Sequence, residues 1–323
     1  MAASRNKSPS NPAAEVAGFL ETRLGPADVV CVGLSGGCDS VALLHATAAL
    51  GLGDRLCALH VNHGLSPRAG VWADFCAALC ARLGVRLTIE SVTVDRASGL
   101  GIEAAARNAR YAVFSRCPAN VLLLGHQRDD QAETLLFNLL RGSGIAGAAG
   151  IREERTHGGL RVLRPLLGLP RAAIEAYALE HGLEWIHDES NDDTALARGF
   201  LRREVFPLLM RRFPGGDANL ARAAGHFAEA AGLLDELAAL DWVSAADGEA
   251  LRLGKLRTLS PARQANLLRY RLRQLGWQAP AAVRLSEFCR QLQMAGADRH
   301  PELLLPEGRM HVSRGLLYWE PMK

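Results

Sequence analysis

Two short stretches carry residue types and spacings that suit chemistry. The first reads SGGCDS at 35–40, directly after the apolar run VVCVGL. Gly36 and Gly37 let the backbone approach an anion with no Cβ in the way. Ser35 and Ser40 offer hydroxyls, and a helix opening just after the glycines would present free N–H groups and its positive end. Asp39 is out of place beside a phosphate unless a cation stands between them, so Mg2+ bound to the phosphates is expected there. The turn is neither G-x-x-x-x-G-K-[ST] nor G-x-G-x-x-G. The second stretch is GHQRDDQAETLLFNLLRGSG at 125–144. His126 stands at a strand end, and Asp130 and Glu133, three apart, share one face of the following helix. Asp129 is expected to cap that helix. Two carboxylates and a histidine suit a cationic substrate, and removal of a proton from an amine. Taken alone, this stretch reads equally well as a capped helix with solvated acids.

The surrounding pattern says what must position these residues. Short β-rich runs at 29–34, 56–61, 85–92 and 121–126 alternate with helical segments near 39–50, 68–83, 102–116 and 129–141. Near-continuous apolar strands with intervening helices predict an α/β fold with a Rossmann-like parallel sheet covered on both faces. SGGCDS follows the first strand, NHGLS the second and HQRDD the fourth. Three polar turns therefore converge on the carboxyl edge of the sheet, where such folds bind ligands. A further strand is predicted within 160–169, then a helix from Pro170 to Gly182. FPGGDAN at 213–219 reads as a boundary. The division expected is a tail and lead-in helix at 1–27, a catalytic domain at 28–216, and a mainly helical domain at 217–323 ending in short strands. In the last, Leu220, Phe227 and Leu234 mark an amphipathic helix, and Ser260-Pro261 opens another that stops at Gly276.

Composition bounds the class. The chain has 323 residues, 49% hydrophobic and 22% charged, as an ordinary globular protein does. Seven cysteines scattered at 31, 38, 57, 76, 80, 117 and 289 form no C-x-x-C and read as reduced core thiols of a cytoplasmic protein. The opening MAASRNKSPSNPAAE lacks an apolar core and reads as a frayed tail rather than a signal peptide. No run of apolar residues is long enough to span a membrane. Net charge is only +3, yet 250–286 contains no Asp or Glu while holding Arg252, Lys255, Arg257, Arg263, Arg269, Arg271, Arg273 and Arg284. A one-sign patch of this kind suits a nucleic acid; acids from elsewhere in the fold are the alternative partner. Tyr270 and Trp277 within it read as core residues.

SGGCDS resembles the PP-loop of the ATP pyrophosphatases, which cleave ATP between the α and β phosphates and adenylate a carbonyl-type oxygen. With HVNHGLS (60–66), GIEAAARNARY (101–111), LGHQRDDQAETLLFNLLRGSGIAG (124–147), LRPLLG (163–168) and DESNDDTALARGFLRREVFPLL (188–209) in this order, the chain resembles the tRNA(Ile)-lysidine synthetases. The resemblance is strong over about 28–213 and looser beyond, where LLLPEGRMHVSRGLLYW resembles the end of that family's first C-terminal domain. It implies ATP-dependent joining of L-lysine to carbon 2 of the wobble cytidine in the CAU anticodon of tRNA(Ile), through an adenylated cytidine. The implied ATP site takes in Ser35, Gly36, Gly37, Cys38, Asp39 and Ser40, with Asn62, His63, Arg110 and Gly125. Asp39 would hold Mg2+, and Asp130 and Glu133 would receive lysine. His126 matches a residue needed for activity, either on the α-phosphate or in proton transfer. Arg198 and Arg202 match the arginines of an R-N-x-x-R segment whose asparagine is Gly199 here; Arg198 would contact phosphate or adenylate. Arg107 and Arg202, with Arg263, Arg269, Arg271 and Arg273, would hold tRNA. Discrimination against tRNA(Met) would fall to the two domains present, and the oligomeric state stays open, a homodimer included. The nearest rival is a PP-loop tRNA thiolase, which needs paired cysteines. A non-catalytic nucleotide sensor would need no acidic pocket, and an amidotransferase-linked synthetase would need a glutaminase module.

Overall fold

The computed structural model describes residues 11–95, 102–114, 116–117, 119–187, 197–296 and 299–322. Residues 1–10 of the expected tail and the head of the 188–209 stretch lie outside the described residues; residues 12–15 of that tail are helical, capped by the Asn11 side chain. The chain forms two compact units, Met1–Ala228 and Glu229–Lys323.

In the first unit, α1 (Pro12–Glu21) leads to β1 (Val30–Gly33), α2 (Cys38–Ala48), β2 (Leu56–Asn62), α3 (Ala69–Leu83), β3 (Arg86–Ser91), α4 (Ile102–Phe114), β4 (Val121–Leu123) and α5 (Arg128–Leu140). Then come α6 (Ile145–Ala148), β5 (Glu154–His157), β6 (Leu160–Leu163), α7 (Arg171–Glu180), α8 (Ala197–Phe200), a π-helical turn (Leu201–Val205) and α9 (Phe206–Arg212). The sheet order is β3-β2-β1-β4-β6-β5, parallel except for the β5–β6 hairpin. The Rossmann-like sheet expected from the sequence is thus present.

Strand periodicity sorts the core. Val30 and Val32 are fully buried with Val16 of α1, Val41 and Leu44 of α2, and Ile174 of α7. Cys31, between them, points to the other layer with Cys57, Val113 and Phe114. Each such side chain removed from water contributes about 1.5–3 kcal/mol. The run VRLTIESV fits the two-face rule least: β3 has one neighbour only, and Ile89 is 44% exposed. The strand predicted within 160–169 stops at Leu163, before Pro165, which has no N–H for a ladder.

The topology places the functional edge. The chain leaves β1 for β2 and β3 on one flank, then returns to place β4 on the other. The loops after β1 and β4 therefore leave in opposite senses and open a crevice between them.

The second unit begins within α10 (Gly216–Ala245), a 30-residue helix. It continues through β7 (Ala246–Asp247), β8 (Ala250–Arg252), α11 (Leu253–Leu256), α12 (Pro261–Gln274), α13 (Ala282–Met294), β9 (Glu302–Leu305), β10 (Gly308–Ser313) and β11 (Leu316–Pro321). Its strands form an antiparallel sheet ordered β7-β8-β11-β10-β9. Ser260 caps α12 by accepting from the Arg263 N–H, Pro261 occupies the first turn, and Gly276 follows with φ +73°. Leu267, Leu268, Leu272, Leu285 and Met310 form the core, with Tyr270 and Trp277 packed at its margin. The division falls at 228/229 rather than at the 216/217 suggested by FPGGDAN. The physical reason is that the opening turns of α10 pack on the first unit, with Ala224 buried among Leu135 and Ala148.

Candidate active site

The SGGCDS turn is built to expose backbone donors. Gly36 has φ +90°, and a Cβ there would lie 2.6 Å from the Ile186 side chain, whose own N–H donates to the Gly36 carbonyl. Gly37 is the N-cap of α2 and supplies no side-chain cap, which leaves that helix end open to an anion. Ser40 braces the turn from inside: its hydroxyl donates to the Gly37 carbonyl at 2.9 Å and accepts from the Ser35 N–H at 3.2 Å. The Ser35 and Ser40 oxygens are 3.1 Å apart. Ser40 is thus a strut of the loop. The Cys38 thiol is buried and pushed up to about 12, mainly by desolvation, so it stays protonated.

Gly125 is where the loops after β1 and β4 touch. A Cβ on it would stand 3.0 Å from the Asp39 carbonyl and 3.2 Å from the Ser40 N–H nitrogen. Both are backbone atoms, which cannot swing aside. Gly125→Ala is expected to lower Tm by several degrees, at roughly 2–4 °C per kcal/mol for a unit of this size, and to weaken ATP binding at least tenfold. Thermal melts and nucleotide titration check this.

Beside the turn lies an acidic half. The Asp39 carboxylate is pushed up to about 7, first by burial and then by Asp130, against the pull of Arg171 and Arg202. Its Oδ1 is buried with no hydrogen-bond partner among the described residues. Asp130 is pushed up to about 6, chiefly by burial, although its Oδ2 accepts from the Gln127 N–H at 3.0 Å. Glu133 is held by Arg202, whose Nε and Nη2 donate to its two oxygens at 2.8 and 2.7 Å, while Nη2 also lies 3.6 Å from Asp130. Arg202 sits in the π-helical turn, a widening of the helix that often marks functional sites. The helix cap differs from the sequence expectation. Gln127, not Asp129, is the N-cap of α5, its Oε1 accepting from the Asp129 N–H. Asp129 sits two residues past the cap position and instead receives the Arg171 N–H at the head of α7.

A basic cluster is centred on His126. Arg164 Nε donates to its Nδ1 at 3.2 Å. Burial, then the positive charges of Arg164, Arg107, Arg110 and Arg198, hold the ring well below the usual histidine range, at about 3. Arg107 lies over the Tyr111 ring and Arg198 over the Phe137 ring, so both guanidinium groups are steadied by aromatic faces. His63 is lowered to about 4 by burial and Arg110. The Asn62 oxygen accepts from the Gly64 N–H at 2.9 Å, which commits it to its own turn.

In the second unit, three of the arginines expected to hold tRNA are already paired. Arg263 binds Asp241, Arg273 binds Asp235, and Arg271 binds Glu249 while lying over the Trp242 ring. The acid-free window at 250–286 is therefore partly neutralised by acids just upstream of it. Arg269 forms no ion pair among the described residues. Arg202, also expected to hold tRNA, has its guanidinium on Glu133 and near Asp130, half-buried carboxylates that need a counter-charge. The reading from sequence missed Arg164, Arg171 and Ile186. Arg164 was within reach, since it stands in the quoted LRPLLG run; no local signal marked the other two.

Comparison with known proteins gives this geometry a context. Residues 11–209 match the PP-loop domain family, and 251–318 match the TilS substrate binding domain. A tRNA(Ile)-lysidine synthase from Aromatoleum aromaticum is 48% identical over 309 residues, covering 94% of this chain and 72% of that protein. Another, from Alkalilimnicola ehrlichii, is 44% identical over 92% of this chain and 68% of its own length. Among solved structures, a U34-tRNA thiolase from Methanococcus maripaludis superposes with a TM-score of 0.58 at 18% identity, covering 68% of this chain and 78% of that one, a likeness of fold alone. Among the described residues no helix is long and apolar enough to cross a membrane. An ATP-using PP-loop unit joined to a TilS substrate binding unit, with relatives this similar across both, leaves one conclusion: the chain belongs to the tRNA(Ile)-lysidine synthase family.

Proposed function

We propose that this enzyme joins L-lysine to carbon 2 of the wobble cytidine in the CAU anticodon of tRNA(Ile), with the residues of the β1–β4 crevice in distinct roles. The observation that carries this reading is a pair of charge clusters: Asp39, Asp130 and Glu133 act on one another, partly offset by Arg202, while Arg107, Arg110, Arg164 and Arg198 act on His126. One cluster suits a dicationic amino acid and the other suits phosphates. Ring nitrogens donate into the cytosine carbonyl and make it a weak electrophile. Transfer of AMP to its oxygen, with loss of pyrophosphate, supplies a leaving group; attack by the lysine ε-amine at carbon 2 then displaces AMP. The open end of α2 and the His126 cluster hold negative charge as it develops. Asp130 and Glu133 gather the amine, and a carboxylate held near 6 is suited to take its proton.

Mg2+ fits the chain at Asp39. An orphaned, buried carboxylate oxygen asks for a cation, and Mg2+ is commonly held by one or two carboxylates plus phosphate oxygens and water. When bound, it would neutralise the departing pyrophosphate. No group of three or more protein ligands is arranged for a metal among the described residues, so its remaining ligands would come from ATP and water. We place the reaction in the cytoplasm, where tRNA and ATP meet.

The direct test combines the protein with ATP, Mg2+, labelled lysine and CAU-anticodon tRNA(Ile). Lysine should appear on the tRNA with one AMP released per transfer; no transfer, or equal transfer of another amino acid, defeats the reading. For tRNA contact, Arg269→Glu should weaken binding and reduce the salt slope by about one or two, since each lost phosphate contact removes roughly 0.7–0.9 and reversal adds repulsion. An unchanged slope would remove Arg269 from the interface. The thiolase alternative needs paired cysteines, and no C-x-x-C occurs in the chain.

A further inference from the structure

We infer that Arg164 is a positioning residue that fixes the tautomer of His126, so that the imidazole enters the reaction as a neutral Nε2–H hydrogen-bond donor and not as a general base. This rests on the proposed site only for what the donor faces; the tautomer itself follows from the geometry.

A guanidinium has donors and no acceptor. Arg164 Nε points at His126 Nδ1 from 3.2 Å, so that nitrogen must offer its lone pair, and the ring proton resides on Nε2. Protonating Nδ1 would set N–H against N–H. The other groups that face the ring agree, for they are also guanidinium: Arg107 and Arg110 from α4, and Arg198 from α8. Both routes to base catalysis are thus closed, Nδ1 by Arg164 and Nε2 by its own proton.

Arg164 is placed for this task at some expense. It is only 4% exposed, at the end of β6, and among the described residues no carboxylate is bonded to it. Its Nη1 donates to the Arg152 carbonyl at 2.7 Å, and its backbone N–H to the Glu153 carbonyl at 2.9 Å. Burying a cation without a counter-ion is unfavourable. A purely structural role would be met by a neutral side chain; a fixed donor aimed at His126 would not.

The test is nitrogen NMR of the whole protein labelled at histidine, assigned by His126→Gln. His126 should show an unprotonated Nδ1, a protonated Nε2, and no titration between pH 5 and 8. In Arg164→Met the ring should populate both tautomers, while Arg164→Lys, which keeps a donor, should restore the single tautomer. A protonated Nδ1, or titration near pH 6.5 in the wild-type protein, overturns the inference whether or not the variants fold. Kinetics then separate the two layers. His126→Gln keeps a donor near the Nε2 position and should retain kcat within about tenfold, with His126→Ala at least tenfold lower still. If the tautomer is as stated but Gln and Ala are equally inactive, the donor role in the proposed mechanism fails and the assignment of Arg164 stands.

Discussion

Asp39→Asn should abolish lysine transfer while making the protein harder to melt. The loss follows from the role proposed above. Without the carboxylate, the cation that offsets the phosphates has no protein anchor, and removing a charge-stabilising group of this type costs about three orders of magnitude or more in kcat. The gain in stability follows from the geometry alone. An acid whose pKa is higher in the folded state binds protons more tightly there than in the unfolded chain. Its contribution to stability therefore declines as pH rises from about 4 towards the folded value of about 7, and the full penalty is present above that. Three pKa units correspond to about 4 kcal/mol at most; partial solvent access brings the penalty nearer 2 kcal/mol. Asn carries no charge to desolvate, so Tm should rise by roughly 5 °C at pH 8 in buffer free of Mg2+ and nucleotide, and the gain should shrink at pH 5. An unchanged or lower Tm at pH 8 would mean that the carboxylate is not strained in the free protein.

What the sequence made legible, and what it hid, divides along the range of the interactions. The four strands of the first half and the loops after them follow from local pattern, because alternation and run length are written in adjacent residues. The cluster of Asp39, His126, Asp130 and Glu133 was legible for the same reason: each sits in a loop or first helical turn behind a recognisable strand. Partnerships formed by folding were not. The acid-free window at 250–286 suggested open cations, yet Asp235, Asp241 and Glu249 reach Arg273, Arg263 and Arg271 in the folded unit. Arg202 drew its tRNA role from its match to the R-N-x-x-R segment; the half-buried acids it pairs with lie 69 and 72 residues away. FPGGDAN read as a boundary because a Gly-Gly turn can precede a linker as readily as a helix such as α10. Arg164 stood in the LRPLLG run, but its partner was hidden, since only the pairing of β4 with β6 brings its strand end beside His126.

The last expected result concerns the amino-acid pocket, where the two acids should prove unequal. Asp130→Asn should raise the lysine KM about 100-fold, as expected for removal of one partner of a desolvated charge pair, with the KM values for ATP and tRNA within threefold of the wild type. Asp130 is the carboxylate with charge to spare, since its nearest cation, Arg202, is bidentate on Glu133 and only 3.6 Å away from it. The wild-type lysine KM should also rise as pH falls below about 6. There Asp130 takes up a proton that the incoming cation must expel, at close to tenfold per pH unit once titration is complete. Glu133→Gln acts differently. It releases the Arg202 guanidinium beside the path of a positively charged substrate, so its effect on KM is repulsion as much as lost attraction. Replacing Arg202 by Met in the Glu133→Gln background should then recover part of the loss, whereas Arg202→Met alone leaves two acids without their counter-ion and should lower Tm. That non-additive cycle distinguishes a counter-ion within the pocket from an arginine that holds tRNA. A lysine KM unmoved by Asp130→Asn would place the amino acid elsewhere.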